Sequence, residues 1–438
     1  MRIDSSIMMK RIDTTWSNIC RARLNGGDSD SFLLFGPRGS GKTKMAQEFV
    51  RSHANAFYIS FKKLSPEESL RSFCRTYLSE SADVQSFSQA VNALISSINE
   101  NRFLFFLEEE TNTAIQECTE ALQSAAKKRP GIVLCFLTSR TEHHRNYDVS
   151  VPYLTISDFY RLFPKYSRQN MVRLFALTGG VPEIVKELDA EADFDENMRR
   201  LLSYDSAFSA ILPAWLSRCF RSPDSYYPIL CSIADGKHRL AEIAKTVGFP
   251  NNKCGTYLDA LIRHGFVVAD QPPQAKQATY YLANSYFTAW CRYVCGKQMM
   301  QIAKPELLFD FVKTDMDSSV AVPAFRDACM RYVKANYRRA YSEAKEIKKD
   351  VLIDGTAIPI DYCAFGNSDP LFCILPHTLE ARCTKDVLEE VNKAVEHFVP
   401  LFDAQIVIFS LERFSDWCVH EAAIQEGLSE VIMERLKY

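Results

Sequence analysis

The sequence predicts an α/β fold built on a parallel sheet, and three observations predict it. Short apolar runs of strand length alternate with segments of helical periodicity through the first third of the chain. A glycine-rich octapeptide, Gly36-Pro37-Arg38-Gly39-Ser40-Gly41-Lys42-Thr43, stands between one such run, Ser31 to Phe35, and a helical segment from Lys44 to Ser52. A later apolar run, Arg102 to Leu107, ends directly in Glu108-Glu109-Glu110.

The elements follow in order. Helical periodicity over Ile12 to Leu24 stops at Asn25-Gly26-Gly27. After the first strand and its helix, Ala56 to Phe61 predicts a second strand. Ser65-Pro66-Glu67-Glu68 combines an N-cap, a first-position proline and an acidic first turn, and opens a helix through Tyr77. Ser86 to Asn99 is a further helix. Thr113 to Lys127 is a helix leading into a strand, Ile132 to Leu137, which is followed by Thr138-Ser139-Arg140.

The octapeptide fits G-x-x-x-x-G-K-[ST], the phosphate-binding P-loop, in the strand–loop–helix setting the motif requires. Its glycines let backbone N–H groups turn inward around phosphate oxygens, and the helix N-terminus adds partial positive charge. Gly36, Pro37, Arg38, Gly39, Ser40, Gly41, Lys42 and Thr43 are therefore the expected nucleotide cradle. Lys42 is expected to reach the β- and γ-phosphates of ATP, and the Thr43 hydroxyl to ligate Mg²⁺. Glu108 is the expected second Mg²⁺ carboxylate and Glu109 the residue that orients the attacking water. Glu108 stands where aspartate is usual. Its extra methylene moves the carboxylate, and Mg²⁺ demands near-ideal octahedral geometry, so slow turnover is one expectation. Ser139, with Thr138, is the candidate γ-phosphate sensor. Arg140, Arg145, Arg161, Arg168 and Arg173 are candidates for a transition-state arginine, and the sequence does not choose among them.

The chain has 438 residues, 47% hydrophobic and 24% charged, with a net charge of −2, which excludes a globally basic or acidic protein. The length predicts two to four domains. Fourteen cysteines include no C-x-x-C pair; Cys291 and Cys295, one helical turn apart, are the closest. This usage predicts free thiols rather than zinc or a disulfide framework. MRIDSSIMMKRID lacks a signal-peptide core and no apolar run spans a membrane, which predicts a cytoplasmic protein.

Beyond residue 150, Val151 to Ile156 predicts a strand and Ser157-Asp158 caps a helix through Phe163. Arg168 to Leu177 is amphipathic and ends at Thr178-Gly179-Gly180-Val181-Pro182, where Pro182 starts a helix through Leu188. The acids from Glu187 to Glu196 read as solvated surface, and Asn197 to Phe220 as two helices broken at Pro213. Helices over Tyr227 to Ala234, Arg239 to Val247 and Asn252 to His264, then strands over Phe266 to Ala269 and Thr279 to Leu282, predict a winged helix-turn-helix. Between Leu230 and Met300, eight Lys/Arg face four Asp/Glu, a local excess of positive charge. Asn251, Asn252, Lys253, Thr256 and Tyr257 on the third helix and Lys276 in the wing are the candidate contacts to double-stranded DNA. A winged helix used for packing or for a protein contact fits the same residues.

The ordered set of P-loop, Gly179-Gly180-Val181-Pro182, winged helix and the exit Tyr281-Leu282-Ala283-Asn284-Ser285-Tyr286-Phe287 with Trp290 resembles the archaeal-type ATPase family, signalling-type (STAND) relatives of AAA+ ATPases. The resemblance implies an ATP-driven switch that couples nucleotide state to DNA or partner binding, with homo-oligomerisation or a protein partner. It also implies a C-terminal restriction-endonuclease-like domain. Lys10-Arg11-Ile12-Asp13 departs from the family's adenine-side turn, and the segment after the sensor strand is short. At the nuclease positions Asp361 matches the first acid, but Cys373, Ile374, Leu375 and Pro376 supply no Glu-x-Lys and the helix position holds Arg326. The C-terminal domain is therefore expected to be an inactive nuclease fold serving binding or dimerisation, with Arg338, Arg339, Lys345, Lys348 and Lys349 as candidate DNA contacts; a solvated helix face fits the same charges. The predicted organisation is an ATPase core (1–155), a helical lid (156–225), a winged helix-turn-helix (226–300) and a nuclease-like domain (301–438). A non-hydrolysing, nucleotide-gated DNA-binding regulator is the alternative.

Overall fold

The structure is a computed structural model. It describes residues 18–23, 25, 31–61, 64–78, 84–98, 102–108, 113–139, 148–271, 277–337, 346–349, 352–353, 356–357, 360–365, 370–380, 384–401, 404–411 and 428–432. The chain divides into two units, Asp4–Tyr153 and Leu154–Tyr438 with Met1–Ile3. Among the described residues no helix is long and apolar enough to cross a membrane.

The first unit is a parallel sheet with helices. In chain order it runs β1 (Ser31–Phe35), α1 (Lys42–Ser52), β2 (Ala56–Ile59), α2 (Pro66–Tyr77), α3 (Phe87–Ser97), β3 (Phe103–Glu108), α4 (Thr113–Lys128), β4 (Ile132–Thr138) and β5 (Val149–Ser150). The strand order is β2-β3-β4-β1-β5, with every pair parallel. All six residues of β3 are buried, as expected of a strand covered on both faces. Phe103, Phe105 and Leu107 pack into one core with α3 and α4, while Leu104 and Phe106 join Met45, Ala46 and Phe49 of α1 in another. Burying one such side chain contributes about 1.5–3 kcal/mol. Ser65 caps α2 as the sequence predicts, exchanging hydrogen bonds with Glu68 in a capping box.

The predicted strand over Val151 to Ile156 is displaced. The paired residues are Val149 and Ser150, opposite Leu34 and Phe35, and the ladder ends with Val151 N–H donating to Phe35. Pro152 has no N–H with which to continue it.

The second unit opens with α5 (Ile156–Leu162), α6 (Arg168–Thr178), α7 (Pro182–Val185), α8 (Phe194–Leu202) and α9 (Ala207–Cys219). Thr155 rather than Ser157 caps α5, in a box with Asp158. Of the acids expected as solvated surface, Glu191, Asp193 and Glu196 are exposed, Glu191 in a surface pair with Lys165; Glu187 and Asp189 are half-buried, the Glu187 carboxylate accepting from Ala207 N–H and Asp189 pairing with Arg200. Pro213 does not break its helix. The carbonyl of Ser209, which Pro213 cannot satisfy, accepts from Trp290 Nε1 at 2.9 Å, and the Tyr286 hydroxyl bridges Leu212 N–H and the Phe208 carbonyl. Two aromatic side chains from a later helix thus replace the bonds that proline removes.

Next come α10 (Tyr227–Ala234), α11 (Leu240–Val247), α12 (Asn251–Arg263) and the antiparallel hairpin β6 (Val267–Asp270) and β7 (Thr279–Leu282). Pro250, not Asn251, is the residue before α12. Then follow α13 (Ser285–Tyr293), α14 (Gln298–Ala303), α15 (Pro305–Met316), a π-helical stretch over Asp317–Ala321, and α16 (Val322–Asn336). Arg173 of α6 holds the π stretch through two bonds to Asp317, at 2.8 and 2.6 Å.

The C-terminal part carries β8 (Glu346–Lys349), a short hairpin β9 (Leu352–Ile353) and β10 (Thr356–Ala357), β11 (Tyr362–Phe365), β12 (Leu371–Ile374), α17 (Lys385–Glu396), β13 (Gln405–Ser410) and β14 (Leu428–Ile432). Its sheet is mixed, in the order β14-β13-β12-β11-β8. Lys348 and Lys349 belong to edge strand β8, which corrects the expected helix face; Arg338, Arg339 and Lys345 lie outside the described residues.

Candidate phosphate-binding site

The parallel order puts the carboxyl ends of β1, β4 and β3 side by side, with β4 in the middle. In open α/β sheets this edge is where ligands bind. Phe35 lies opposite Thr138, and Leu137 opposite Glu108, so the loop after β1 and the acid closing β3 are separated by one strand. The loop is tied to that strand by Gly36 N–H donating to the Thr138 carbonyl at 3.3 Å.

Within the loop, Gly41 lies at φ 102° immediately before α1. Gly36 is required by close approach: a Cβ there would stand 2.1 Å from the Val151 carbonyl oxygen. Tyr153 closes over the loop from the same side, its hydroxyl donating to the Arg38 carbonyl. Lys42 is buried and its Nζ donates to the carbonyls of Gly36 and Pro37, both at 2.8 Å, curling the loop around the ammonium. Burial pushes the Lys42 ammonium down to about 8. The Arg38 guanidinium adds to that shift and Glu108 opposes it. Ser40 is fully buried, and Arg38 Nε is buried with no hydrogen-bond partner.

Thr43 Oγ1 donates to Glu108 Oε1 at 2.6 Å, and the Glu108 carboxylate is itself buried. The sequence sets these residues 65 positions apart; the fold makes them neighbours. Two hard oxygen donors in contact, beside a lysine-centred anion cradle, are the donor set that Mg²⁺ with a nucleotide phosphate requires. Ser139 follows β4 and is partly buried. Glu109, Arg140 and Arg145 lie outside the described residues. Of the other arginine candidates, Arg173 is taken up by Asp317, Arg168 donates to the Leu411 carbonyl, and Arg161 is exposed.

Asn252, Lys253 and Thr256 are exposed on α12, and Tyr257 is half-buried. Lys253 Nζ lies over the Phe249 ring at 4.3 Å and the Tyr257 ring at 5.9 Å, a cation–π contact that holds the ammonium against the two aromatics. On the hairpin, Val268 and Tyr281 are exposed, and Tyr281 stacks on His238. Lys276 lies outside the described residues.

In the C-terminal sheet the buried Asp361 carboxylate is fully engaged. It pairs with Arg326 at 2.9 Å and with His377 at 3.0 Å, and accepts from Leu375 N–H at 2.7 Å. Among the described residues no group of three or more His, Cys, Asp or Glu is placed to hold a metal ion.

No family model matches the chain. It is 20% identical over 295 residues to the uncharacterized protein MJECL04 of Methanocaldococcus jannaschii. That match covers 62% of this chain and 66% of the relative, just under two thirds of its length. Among solved structures, a Thermotoga maritima RuvB variant aligns over 63% of this chain and 91% of its own, at 14% identity and a TM-score of 0.30. Drosophila ORC bound to AT-rich DNA and Cdc6 aligns over 65% of this chain and 91% of its own, at 11% identity and a TM-score of 0.24.

Proposed function

We propose that this chain is an ATP-binding, ATP-hydrolysing switch protein of the archaeal-type ATPase kind, related to AAA+ ATPases, which couples nucleotide state to DNA or partner binding. The observation that carries the proposal is the contact between Thr43 and Glu108, at the carboxyl edge of a parallel sheet and beside a curled, lysine-centred glycine loop. Gly36 to Thr43 hold the phosphates. Lys42 gives up its two loop carbonyls to meet phosphate oxygens, and Arg38, with its unpartnered Nε, adds positive charge at the loop's mouth. Thr43 and Glu108 hold Mg²⁺, which when bound offsets the charge of the β- and γ-phosphates. Glu109 orients the attacking water and Ser139 senses the γ-phosphate. The helices α10 to α12 with the β6–β7 hairpin act as a winged helix-turn-helix. Asn252, Lys253, Thr256, Tyr257 and Lys276 meet double-stranded DNA. The protein acts in the cytoplasm, as an oligomer or with a protein partner, and the C-terminal sheet is a binding module without nuclease activity.

The non-hydrolysing regulator is favoured by one observation: Glu108, one methylene longer than aspartate, reaches Thr43 directly. The deciding experiment is phosphate release from Mg-ATP with and without duplex DNA, for wild type, Lys42→Ala and Glu109→Gln. Turnover that rises with DNA and is lost in both variants supports the switch ATPase. Lys42-dependent ATP binding without release supports the regulator. Absence of ATP binding by the wild type overturns both.

A further inference from the structure

Three cysteines meet at the surface of the second unit. Cys231 lies on α10, Cys291 on α13, and Cys295 in the turn that follows α13. All three sulfur-bearing side chains face the same space, with Cys231 interacting electrostatically with both of the others. The three line an open cavity of about 280 Å³ with Arg292, Lys297 and Phe311. Cys231 and Cys295 are half-buried, whereas Cys291 is buried. Two of the three thiols therefore share one open cavity and are reachable from solvent.

We propose that Cys231 and Cys295 form an oxidative modification site, closing a disulfide that staples α10 to the end of α13 when hydrogen peroxide enters the cavity. The Cys231 thiolate attacks one peroxide oxygen and the O–O bond breaks. The departing hydroxide takes the proton that Cys231 released, leaving water and a sulfenic acid. Cys295 sulfur then attacks the Cys231 sulfur; the S–S bond forms and the S–O bond breaks. The second hydroxide leaves as water with the Cys295 proton. Two thiols lose two electrons and the peroxide gains them. Cys291 is the poorer partner for either residue. It is buried and so is less accessible to peroxide than either of the other two.

The surroundings set the character of this site. The neighbouring Cys291 thiol and burial push the Cys231 thiol up to about 12, with Cys295 opposing, and the Cys231 thiol and burial push Cys295 up as well. High-pKa thiols react slowly, and a reduced form without thiolate stabilisation gives a disulfide that resists reduction. The site is thus a slow, persistent staple rather than a fast sensor. It stands independently of the nucleotide site.

The experiment uses the full chain, treated with hydrogen peroxide at alkaline pH, alkylated and mapped by non-reducing mass spectrometry. The expected result is a cross-linked peptide pair carrying Cys231 and Cys295. It is lost in Cys231→Ser and Cys295→Ser and kept in Cys291→Ser, and the oxidised chain melts several degrees higher. A bridge from Cys231 to Cys291 overturns the proposal, as does recovery of Cys231 and Cys295 as alkylated thiols after the other half-buried cysteines have oxidised. The wild-type map needs no variant, so it decides the question even where a serine variant fails to fold.

Discussion

Thr43 and Glu108 share a 2.6 Å hydrogen bond between the first turn of one helix and the last residue of a strand two places away in the sheet. A neutral amide at 108 still accepts from Thr43 but offers Mg²⁺ no charge. Glu108→Gln is therefore expected to weaken Mg-ATP binding about tenfold or more, while ATP binding in chelator is unchanged. Isothermal titration with and without Mg²⁺ checks this; equal losses in both conditions would mean that Glu108 acts on the loop and not on the metal.

Lys42 gives the site a pH dependence whose sign can be worked out. Its ammonium is pushed down to about 8 from an ordinary 10.5. Between those values the free folded chain has lost a proton that the unfolded chain keeps, so stability of the nucleotide-free protein rises with pH across that window. Phosphate favours the ammonium. ATP affinity should thus be flat below about pH 8 and decline above it, and binding there should take up a proton. Titration calorimetry in buffers of different ionisation enthalpy measures the uptake. Zero uptake above pH 8 would show that Lys42 stays charged in the free protein.

Gly179 is wedged against Asn284 in the second unit. Its φ is +58°, and a Cβ would sit 1.6 Å from Asn284 Oδ1, the oxygen that caps α13 by accepting from Tyr286 N–H. Gly179→Ala is expected to cost roughly 2–4 kcal/mol, from the left-handed backbone and from displacing that cap. In an Asn284→Ala background the cost should fall to about 1–2 kcal/mol, that of the backbone alone. Denaturant midpoints for the four-member cycle report the coupling. Additive losses would refute the wedge.

Much of the first unit is legible because local and global signals agree. Alternating apolar runs, the Ser65–Glu68 box and the glycine loop each specify an element by themselves, and the helices and strands fall within a few residues of expectation. The order β2-β3-β4-β1-β5, which brings Thr43 and Glu108 together, is a further fact that a parallel sheet alone does not dictate. What is not legible depends on partners distant in sequence. Pro213 reads as a break until Tyr286 and Trp290 arrive to satisfy the freed groups. Glu187 and Asp189 read as solvated surface with the exposed acids that follow them, until Ala207 and Arg200 are seen beside them. Strands β8 and β14 escape notice because their sequences, EIKK and LSEVI, are short and partly polar. Cys291 and Cys295 are visible as a pair, but only the packing of α10 on α13 brings Cys231 to them.

Asp361 matches a catalytic motif position, yet its carboxylate is engaged by the chain's own groups. Its side chain is 5% exposed and its oxygens serve Arg326, His377 and the Leu375 N–H. An unpaired buried charge costs more than the pair contributes, so the two single variants should not be equal. Asp361→Asn leaves the Arg326 guanidinium uncompensated and should destabilise the chain by on the order of 3 kcal/mol. Arg326→Met leaves Asp361 with two of its three partners and should cost less. Duplex DNA with Mg²⁺ should remain uncut by the wild type and by Asp361→Asn alike. The checks are urea unfolding for both variants and a cleavage assay on the folded chains. Cleavage by the wild type that disappears with Asp361→Asn would return this residue to a catalytic role and remove the reason for treating the C-terminal sheet as a binding module.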